Sequence, residues 1–222
     1  MKKMIEIINF LVDLIIERDI EISRLKKLSS SEIFSQLNPK ERYYFSFIFT
    51  IFSYQTPLVR KIIWQMKFRE NKWAAKILGK FLAEIFIKNS FLINSSKNFT
   101  EKIILIPIPI HKKRYQQRGY NQCEWLAKEM IKNLPKSMRE KIIYNPQILK
   151  RVLYTEKQSW HNEKDRKKNI KGVFKINSKI NLFNRTIVLL DDVYTTGSTL
   201  LEARQTLEKA GAKKVYALVV AH

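Results

Sequence analysis

The stretch TIVLLDDVYTTGSTLLEA, residues 186–203, joins a buried strand to a helix through a polar loop. Its apolar, β-branched first half predicts a strand that ends in two acidic residues, Asp191 and Asp192. A loop rich in Thr, Gly and Ser follows, and the pattern predicts that a helix begins at about Ser198. A strand, loop and helix in this order are typical of a sheet that is covered by helices.

The same alternation extends over most of the chain. From Lys102 onward, continuous apolar runs such as KIILIPIPI (102–110) and VYALVVA (215–221) alternate with helical patterns. This predicts an α/β fold with a mostly parallel sheet flanked by helices. We expect residues 43–222 to form this domain, beginning with a buried strand in YYFSFIFTIFSY (43–54), and residues 1–42 to form a helical appendage.

The composition restricts the classes of partner. The chain has 42 Lys and Arg against 20 Asp and Glu, a formal net charge of +22, which favours anionic partners such as phosphorylated ligands or nucleic acid. Lysines occur in nearly every segment, so a compositional bias of the whole chain is an alternative to a dedicated binding patch as the explanation of this charge. The single Cys123 excludes an internal disulfide and agrees with a cytoplasmic protein.

Membrane insertion is not expected. Glu6 and Asp13 interrupt the apolar N-terminal stretch, and the apolar run at 43–54 is shorter than the roughly 20 residues that a spanning helix needs. A weaker interpretation attaches the amphipathic N-terminal segment to a membrane surface. The sequence leaves homo-oligomerisation open.

The polar loop has the construction of a phosphate site. Hydroxyl groups, the backbone N–H groups that a glycine leaves accessible and the positive end of a helix dipole can converge on one phosphate; the residues are Thr195, Thr196, Gly197, Ser198 and Thr199. Asp191 and Asp192 then require a neutral or cationic partner, such as sugar hydroxyls or Mg²⁺. The loop has neither G-x-x-x-x-G-K-[ST] nor G-x-G-x-x-G. The alternative is an ordinary capped helix.

Residues 188–200 resemble the signature of type I phosphoribosyltransferases that binds 5-phosphoribosyl-1-diphosphate (PRPP). The resemblance implies that Asp191 and Asp192, the candidate catalytic residues, contact the ribose 2′- and 3′-hydroxyls. It implies that the loop from Thr195 to Thr199 holds the 5′-phosphate. Mg²⁺ would be the cofactor and would bridge ribose hydroxyls and diphosphate, with no direct protein ligand.

A second segment, IPIPIHKKRYQQRGYNQ (106–122), is predicted to place cations in a loop that neutralises the diphosphate. Arg114 and Arg118 are preferred because guanidinium binds phosphate in a bidentate manner, and Gly119 permits the turn. The alternative is a solvated basic loop. A third, polar segment at 149–174 suits a mobile flap, from which Arg166 would join the diphosphate site on closure.

Together these segments resemble the ComF/GntX family of phosphoribosyltransferase-like proteins, over about residues 54–222. The matching residues are Pro107, Pro109, Arg118, Gly119, Asn121, Gln122, Arg151, Thr155, Gln158, Arg166, Asn169, Gly172 and Phe174. Many members begin with a cysteine-rich zinc module, whereas residues 1–50 here contain no Cys. The family is associated with DNA uptake in natural transformation.

Two functions follow from this resemblance. The first is a phosphoribosyltransferase that binds PRPP and Mg²⁺ and releases diphosphate on transfer to an acceptor. The second is a non-catalytic, PRPP-binding accessory protein of DNA uptake that contacts single-stranded DNA or a helicase partner.

Overall fold

The computed structural model describes residues 20–44, 47–93, 102–154, 172–176 and 180–222. Eight strands lie in these ranges: β1 (Arg42–Tyr44), β2 (Ile48–Phe52), β3 (Ile103–Pro107), β4 (Ile142–Tyr144), β5 (Leu149–Arg151), β6 (Phe174–Ile176), β7 (Thr186–Val193) and β8 (Lys214–Ala221). Six of them form one sheet in the order β1-β2-β8-β7-β3-β4, and β5 and β6 form an antiparallel pair. β1 is antiparallel to β2, and all other neighbours in the sheet are parallel. The predicted α/β fold with a mostly parallel sheet is confirmed.

Helices cover both faces of this sheet, and seven helices have both ends within the described ranges. They are α1 (Ser30–Gln36), α2 (Pro57–Phe68), α3 (Lys72–Ile93), α4 (Lys112–Arg118), α5 (Gln122–Asn133), α6 (Lys136–Arg139) and α7 (Ser198–Lys209). Within the described ranges, none of the helices combines the length and the apolarity needed to cross a bilayer.

β7 lies inside the sheet because both of its faces are apolar. Its first five residues are buried, and successive side chains of a strand point to opposite faces. Val188 and Leu190 pack in one core cluster, with α2, α3 and α5, while Ile187 and Leu189 pack in a second, with α7 and the β5–β6 pair. The sequence signal at 186–190 therefore corresponds to a strand covered on both sides.

The N-terminal residues that the structure describes contribute to the first of these clusters. Ile22, Leu25, Ile33 and Leu37 are buried there together with residues of β2 and α3. α1 begins at a capping box in which the Ser29 N–H donates to Glu32 Oε2 (2.7 Å) and the Glu32 N–H donates to Ser29 Oγ (3.3 Å). The division at residue 42 stays a prediction, and the amphipathic N-terminal segment that contains Glu6 and Asp13 lies outside the described residues.

Gly79 sets the distance between α3 and α5. A Cβ atom at this position would lie 2.5 Å from Cβ of Glu129 and 3.0 Å from the backbone N of Met130. In an open helix, Gly→Ala is stabilising by roughly 1 kcal/mol. Here the added methyl group must separate the two helices.

We therefore expect Gly79→Ala to lower the free energy of unfolding, by about 1–2 kcal/mol, because overpacking outweighs the gain in helix propensity. Urea unfolding followed by circular dichroism measures this difference. Lys76→Ala, at an exposed position of the same helix, is the control and should change it by less than about 0.5 kcal/mol. A higher free energy of unfolding for Gly79→Ala than for the wild type would contradict the close approach of α3 and α5.

Candidate functional site

The carboxyl end of β7 leads directly into the predicted phosphate loop. Asp191 and Asp192 are the sixth and seventh residues of the strand, and the loop from Tyr194 to Gly197 connects it to α7. Gly197 is the N-cap residue with φ 73°, and no side chain among the described residues caps the helix. The first N–H groups of α7 are consequently available to an anion, as helix geometry dictates.

The other residues of this loop lie around the same helix terminus. The hydroxyls of Thr196 and Ser198 are 2.7 Å apart, Thr195 is exposed, and Thr199 is in the first turn of α7. The structure thus brings the five predicted loop residues together next to the two carboxylates.

Tyr194 restricts the conformation of the loop. A Cβ atom at Gly197 would lie 2.7 Å from Cε2 of Tyr194, so any larger residue would displace the ring. The Tyr194 ring stacks on Tyr44 of β1, with centroids 4.6 Å apart, and the Tyr194 N–H donates to the carbonyl of Ala221 (2.8 Å). Positive φ and close packing together require glycine at this position.

A residue from α2 neutralises one of the two acids. Lys67 Nζ lies 2.8 Å from Oδ1 of Asp192, and the Asp192 side chain is only 5% exposed. Burial alone would lower the pKa of Lys67, but Asp192 and Asp191 together raise it, so the ammonium group stays charged. The sequence reasoning did not assign Lys67 a role. Lys67 lies within residues 54–222, over which the chain resembles the family.

Asp191 has different surroundings. Its Oδ1 accepts hydrogen bonds from the Asp192 N–H (2.8 Å) and from the Cys123 thiol (3.4 Å). Burial, followed by the negative charge of Asp192, raises the pKa of Asp191 to about 7. Burial and both carboxylates also raise the pKa of Cys123, which remains a thiol. Asp192 is therefore paired with an ammonium group, whereas Asp191 has no cationic partner at hydrogen-bond distance among the described residues and its pKa is raised.

The basic segment before α5 forms a helix, which corrects the prediction of a loop. His111 caps α4 by accepting the Lys113 N–H at Nδ1 (3.2 Å), and the helix ends at Gly119 with φ 80°. No residue of α4 is buried, so KKRYQQR has no apolar stripe from which a helix could be predicted. Arg118 donates to Gln122 Oε1 (2.7 Å), and its guanidinium lies 5.3 Å from the centre of the Phe68 ring.

Arg114 lies one turn before Arg118 on α4 and close to Arg151 of β5. Burial and the nearby Arg114 lower the pKa of Arg151, while Asp191 raises it. This mutual influence places Arg114, Arg151 and Asp191 in one electrostatic environment. Arg166, the remaining predicted diphosphate residue, lies outside the described residues.

A basic cavity of about 510 Å³ lies between α2 and α4. Its lining includes four cations and one acid; the residues are Lys67, Phe68, Arg69, Glu70, Arg114, Gln117, Arg118 and Tyr120. Through the ion pair of Lys67 with Asp192, this basic cavity adjoins the end of β7.

The acidic pair offers oxygen ligands for Mg²⁺ but not a complete site of its own. Potential ligand atoms of Cys123, Asp191 and Asp192 lie within 4.8 Å of one another. Mg²⁺ prefers oxygen ligands, the Cys123 thiol is protonated, and Lys67 already neutralises Asp192. Asp192 Oδ2 is buried and accepts no hydrogen bond from the described residues. These groups are therefore compatible with an Mg²⁺ ion whose other ligands come from a bound phosphorylated compound.

Comparison with known families defines the class of protein. The model of the family described as "Phosphoribosyl transferase domain" matches residues 123–222, which include β7, the loop and α7. A hypoxanthine phosphoribosyltransferase from Trypanosoma cruzi is similar at 10% identity, over 67% of each chain, with a TM-score of 0.40. The family match over residues 123–222 assigns this sheet and its helices to the phosphoribosyltransferase type.

Comparison with curated proteins identifies the family. The chain is 32% identical to "Competence protein F" of Haemophilus influenzae, over 69% of this chain and 63% of that protein. It is 31% identical to "Competence protein ComFC" of Bacillus subtilis, over 71% of this chain and 57% of that protein. In both cases the chain spans less than two thirds of the relative's length. The protein belongs to the ComF family of phosphoribosyltransferase-like proteins.

The ion pair between Lys67 and Asp192 gives a prediction for stability. In Lys67→Met the buried carboxylate loses its partner, so we expect the free energy of unfolding to fall by about 3 kcal/mol at pH 8. Lys88→Met removes an exposed ion pair with Glu41 and is the matched control, with an expected loss below about 1 kcal/mol. Urea unfolding measures both. Equal losses in the two variants would contradict the importance of the buried pair.

Proposed function

We propose that the protein binds PRPP together with Mg²⁺ at the carboxyl end of β7 and transfers the phosphoribosyl group to an acceptor, with release of diphosphate. The observation that carries this proposal is the pair of carboxylates directly before the N-terminus of α7, which lacks a side-chain cap among the described residues. This arrangement offers acceptors for sugar hydroxyls and donors for a phosphate within one short segment.

The 5′-phosphate would bind at the loop. The N–H groups of the first turn of α7 and the hydroxyls of the loop donate to its oxygens, and Gly197 permits the backbone to approach. The ribose hydroxyls donate to Asp191 and Asp192. Lys67 reduces the repulsion between Asp192 and the phosphate groups.

The diphosphate would bind on the side of α4. Arg114 and Arg118 lie one turn apart on this helix and both line the basic cavity, while Gly119 ends the helix. Guanidinium groups bind phosphate oxygens in a bidentate manner, so the two are suited to a departing diphosphate. We propose that Arg166 adds to this set. Mg²⁺, when bound, supplies positive charge to the diphosphate oxygens.

Catalysis would then depend on position and charge. Displacement at C1 of the ribose passes through a transition state with oxocarbenium character, and Asp191 and Asp192 fix the ring through its hydroxyls. Arg114 and Arg118 stabilise negative charge as it develops on the leaving diphosphate. The first of these effects requires Asp191 to be ionised, so the activity should rise as the pH passes 7, where this carboxyl titrates.

Thermal unfolding with PRPP and Mg²⁺ at pH 8 tests the proposal. At a hundredfold excess over Kd, a ligand adds about 2.7 kcal/mol to the stability of the folded protein, so the midpoint should rise by several degrees. Asp191→Asn/Asp192→Asn should abolish the increase, because each amide lacks the negative charge and has one acceptor oxygen in place of two. Glu84→Gln, at an exposed position of α3, is the control and should retain it.

The same measurement with ribose 5-phosphate and with inorganic diphosphate, each with Mg²⁺, shows which part of PRPP raises the unfolding midpoint. If either compound alone raised the midpoint as much as PRPP does, recognition of the whole PRPP molecule would be contradicted. No shift with PRPP in the folded wild type would refute the proposed ligand.

A second candidate function is binding of single-stranded DNA as an accessory protein of DNA uptake. The relatives include "DNA utilization protein YhgH" of Salmonella typhi, 27% identical over 72% of this chain and 65% of that protein. α4 combines cations with aromatic rings on its surface: Tyr115 is 49% exposed, and Lys113 Nζ lies 5.2 Å from the centre of the Tyr154 ring. Bases stack on exposed rings while lysines neutralise phosphates. A helicase is the alternative partner of this surface.

We expect a labelled oligothymidylate to bind with a Kd that rises steeply with salt, because each phosphate contact releases a counterion. Tyr115→Ala should weaken binding about tenfold, by the loss of one stacked base, without changing the salt slope. Lys112→Gln/Lys113→Gln should reduce the slope by about 1.4, because each phosphate contact with a single strand contributes about 0.7. Fluorescence anisotropy at several salt concentrations measures both. An unchanged affinity in both variants would exclude α4 as the DNA surface.

A further inference from the structure

The loop from Tyr194 to Gly197 is supported from outside the loop itself. Tyr194 follows β7 directly, and its N–H donates to the carbonyl of Ala221 (2.8 Å), which continues the pairing of β7 with β8. Its ring lies against the backbone of Gly197, where an added Cβ atom would be 2.7 Å from Cε2 and 3.4 Å from the hydroxyl oxygen. The Tyr194 side chain therefore supports the turn from which α7 begins.

Tyr44 supports Tyr194 from a distant part of the chain. The two rings stack with their centroids 4.6 Å apart and their planes at 24°. Tyr44 is the last residue of β1, the strand at one edge of the sheet. It lies outside residues 123–222, which match the family model, and before residue 54, where the resemblance to the family begins. The stack thus connects the N-terminal part of the chain to the loop.

Tyr44 is in turn held by the strands behind it. Its backbone pairs with Ile48 of β2, and its ring centre lies 5.5 Å from that of His222, which follows β8. Nδ1 of His222 is 3.0 Å from Oγ1 of Thr50, a residue of β2 that is buried. The rings of Tyr194, Tyr44 and His222 consequently form a row whose far end is fixed to the sheet.

This row affects how the loop can bind an anion. A phosphate at the N-terminus of α7 requires the N–H groups of the first turn and the hydroxyls of the loop in one arrangement. A loop that is free to move loses that freedom on binding, which weakens the affinity. Gly197, at φ 73°, gives the backbone little restriction of its own. The contacts of Tyr194 with Gly197 and with Tyr44 supply the restriction instead.

We propose that Tyr44 is a positioning residue for the 5′-phosphate: through its stack on Tyr194 it holds the loop in the binding conformation before the ligand arrives. This inference rests on the proposed function, which supplies the identity of the ligand. It gives the N-terminal part of the chain a role in the affinity for one end of PRPP. The diphosphate end, at Arg114 and Arg118, belongs to α4 and should not depend on Tyr44.

Calorimetric titration with ribose 5-phosphate and with inorganic diphosphate, each with Mg²⁺, tests this assignment. Tyr44→Leu removes the stacked ring and should weaken ribose 5-phosphate about tenfold, because the loop must then be ordered on binding, while diphosphate binds as before. Tyr44→Phe keeps the ring and should retain the wild-type affinity. Tyr216→Leu is the matched control: it removes a ring 6.3 Å from that of Phe49, away from the loop, and should change neither affinity.

Hydrogen exchange of the free protein gives a second measurement that needs no ligand. The amides of residues 195–199 should exchange about three- to tenfold faster in Tyr44→Leu, because the loop opens more often. Tyr194→Leu removes the same stack from the other side and should reproduce both effects. It takes the place of Tyr44→Leu if that variant does not fold.

Equal weakening of ribose 5-phosphate and diphosphate in Tyr44→Leu would overturn the proposal, since general damage to the fold would then explain the loss. An unchanged affinity for ribose 5-phosphate, or unchanged exchange of the loop amides, would overturn it as well. If PRPP binds to the wild type and these results are obtained, only the role of Tyr44 is wrong. If the wild type binds neither PRPP nor ribose 5-phosphate, the proposed function fails, and hydrogen exchange alone decides whether Tyr44 orders the loop.

Discussion

The ion pair between Lys67 and Asp192 connects the two halves of the candidate site. Asp192 belongs to β7, which lies inside the sheet, whereas Lys67 is on α2, which covers it. A carboxylate that is 5% exposed has a high cost of desolvation, and the ammonium group offsets it. The same contact fixes the end of α2 next to β7. The basic cavity, which Lys67 and Phe68 line, lies beside this contact.

Local patterns in the sequence predicted the elements of the fold that depend on local chemistry. The apolar run of β7 with its two acids and the polar loop with its glycine at 197 are specific enough to predict a strand, a loop and a helix. The run at 43–54 likewise contains β2. The order of the strands was beyond such reasoning, because it depends on which apolar faces pack together across the whole chain.

The errors and omissions have physical causes as well. α4 was predicted as a loop because a seven-residue helix without buried residues has no periodic apolar signal. Lys67 was overlooked because its importance depends on a partner that is distant in sequence. The roles of Asp191 and Asp192 came from the resemblance, while their unequal environments are apparent only from the thiol of Cys123 and the ammonium of Lys67.

The topology of the sheet also determines which part of the chain can exist alone. The region that matches the phosphoribosyltransferase family begins at residue 123, yet β7 lies between β8 and β3, and β3 ends at Pro107. A fragment cut at the family boundary would expose one long edge of β7 and leave Asp192 without its counterion. Such a fragment would tend to associate through that open edge. The segment that the family model matches is therefore smaller than the unit that folds.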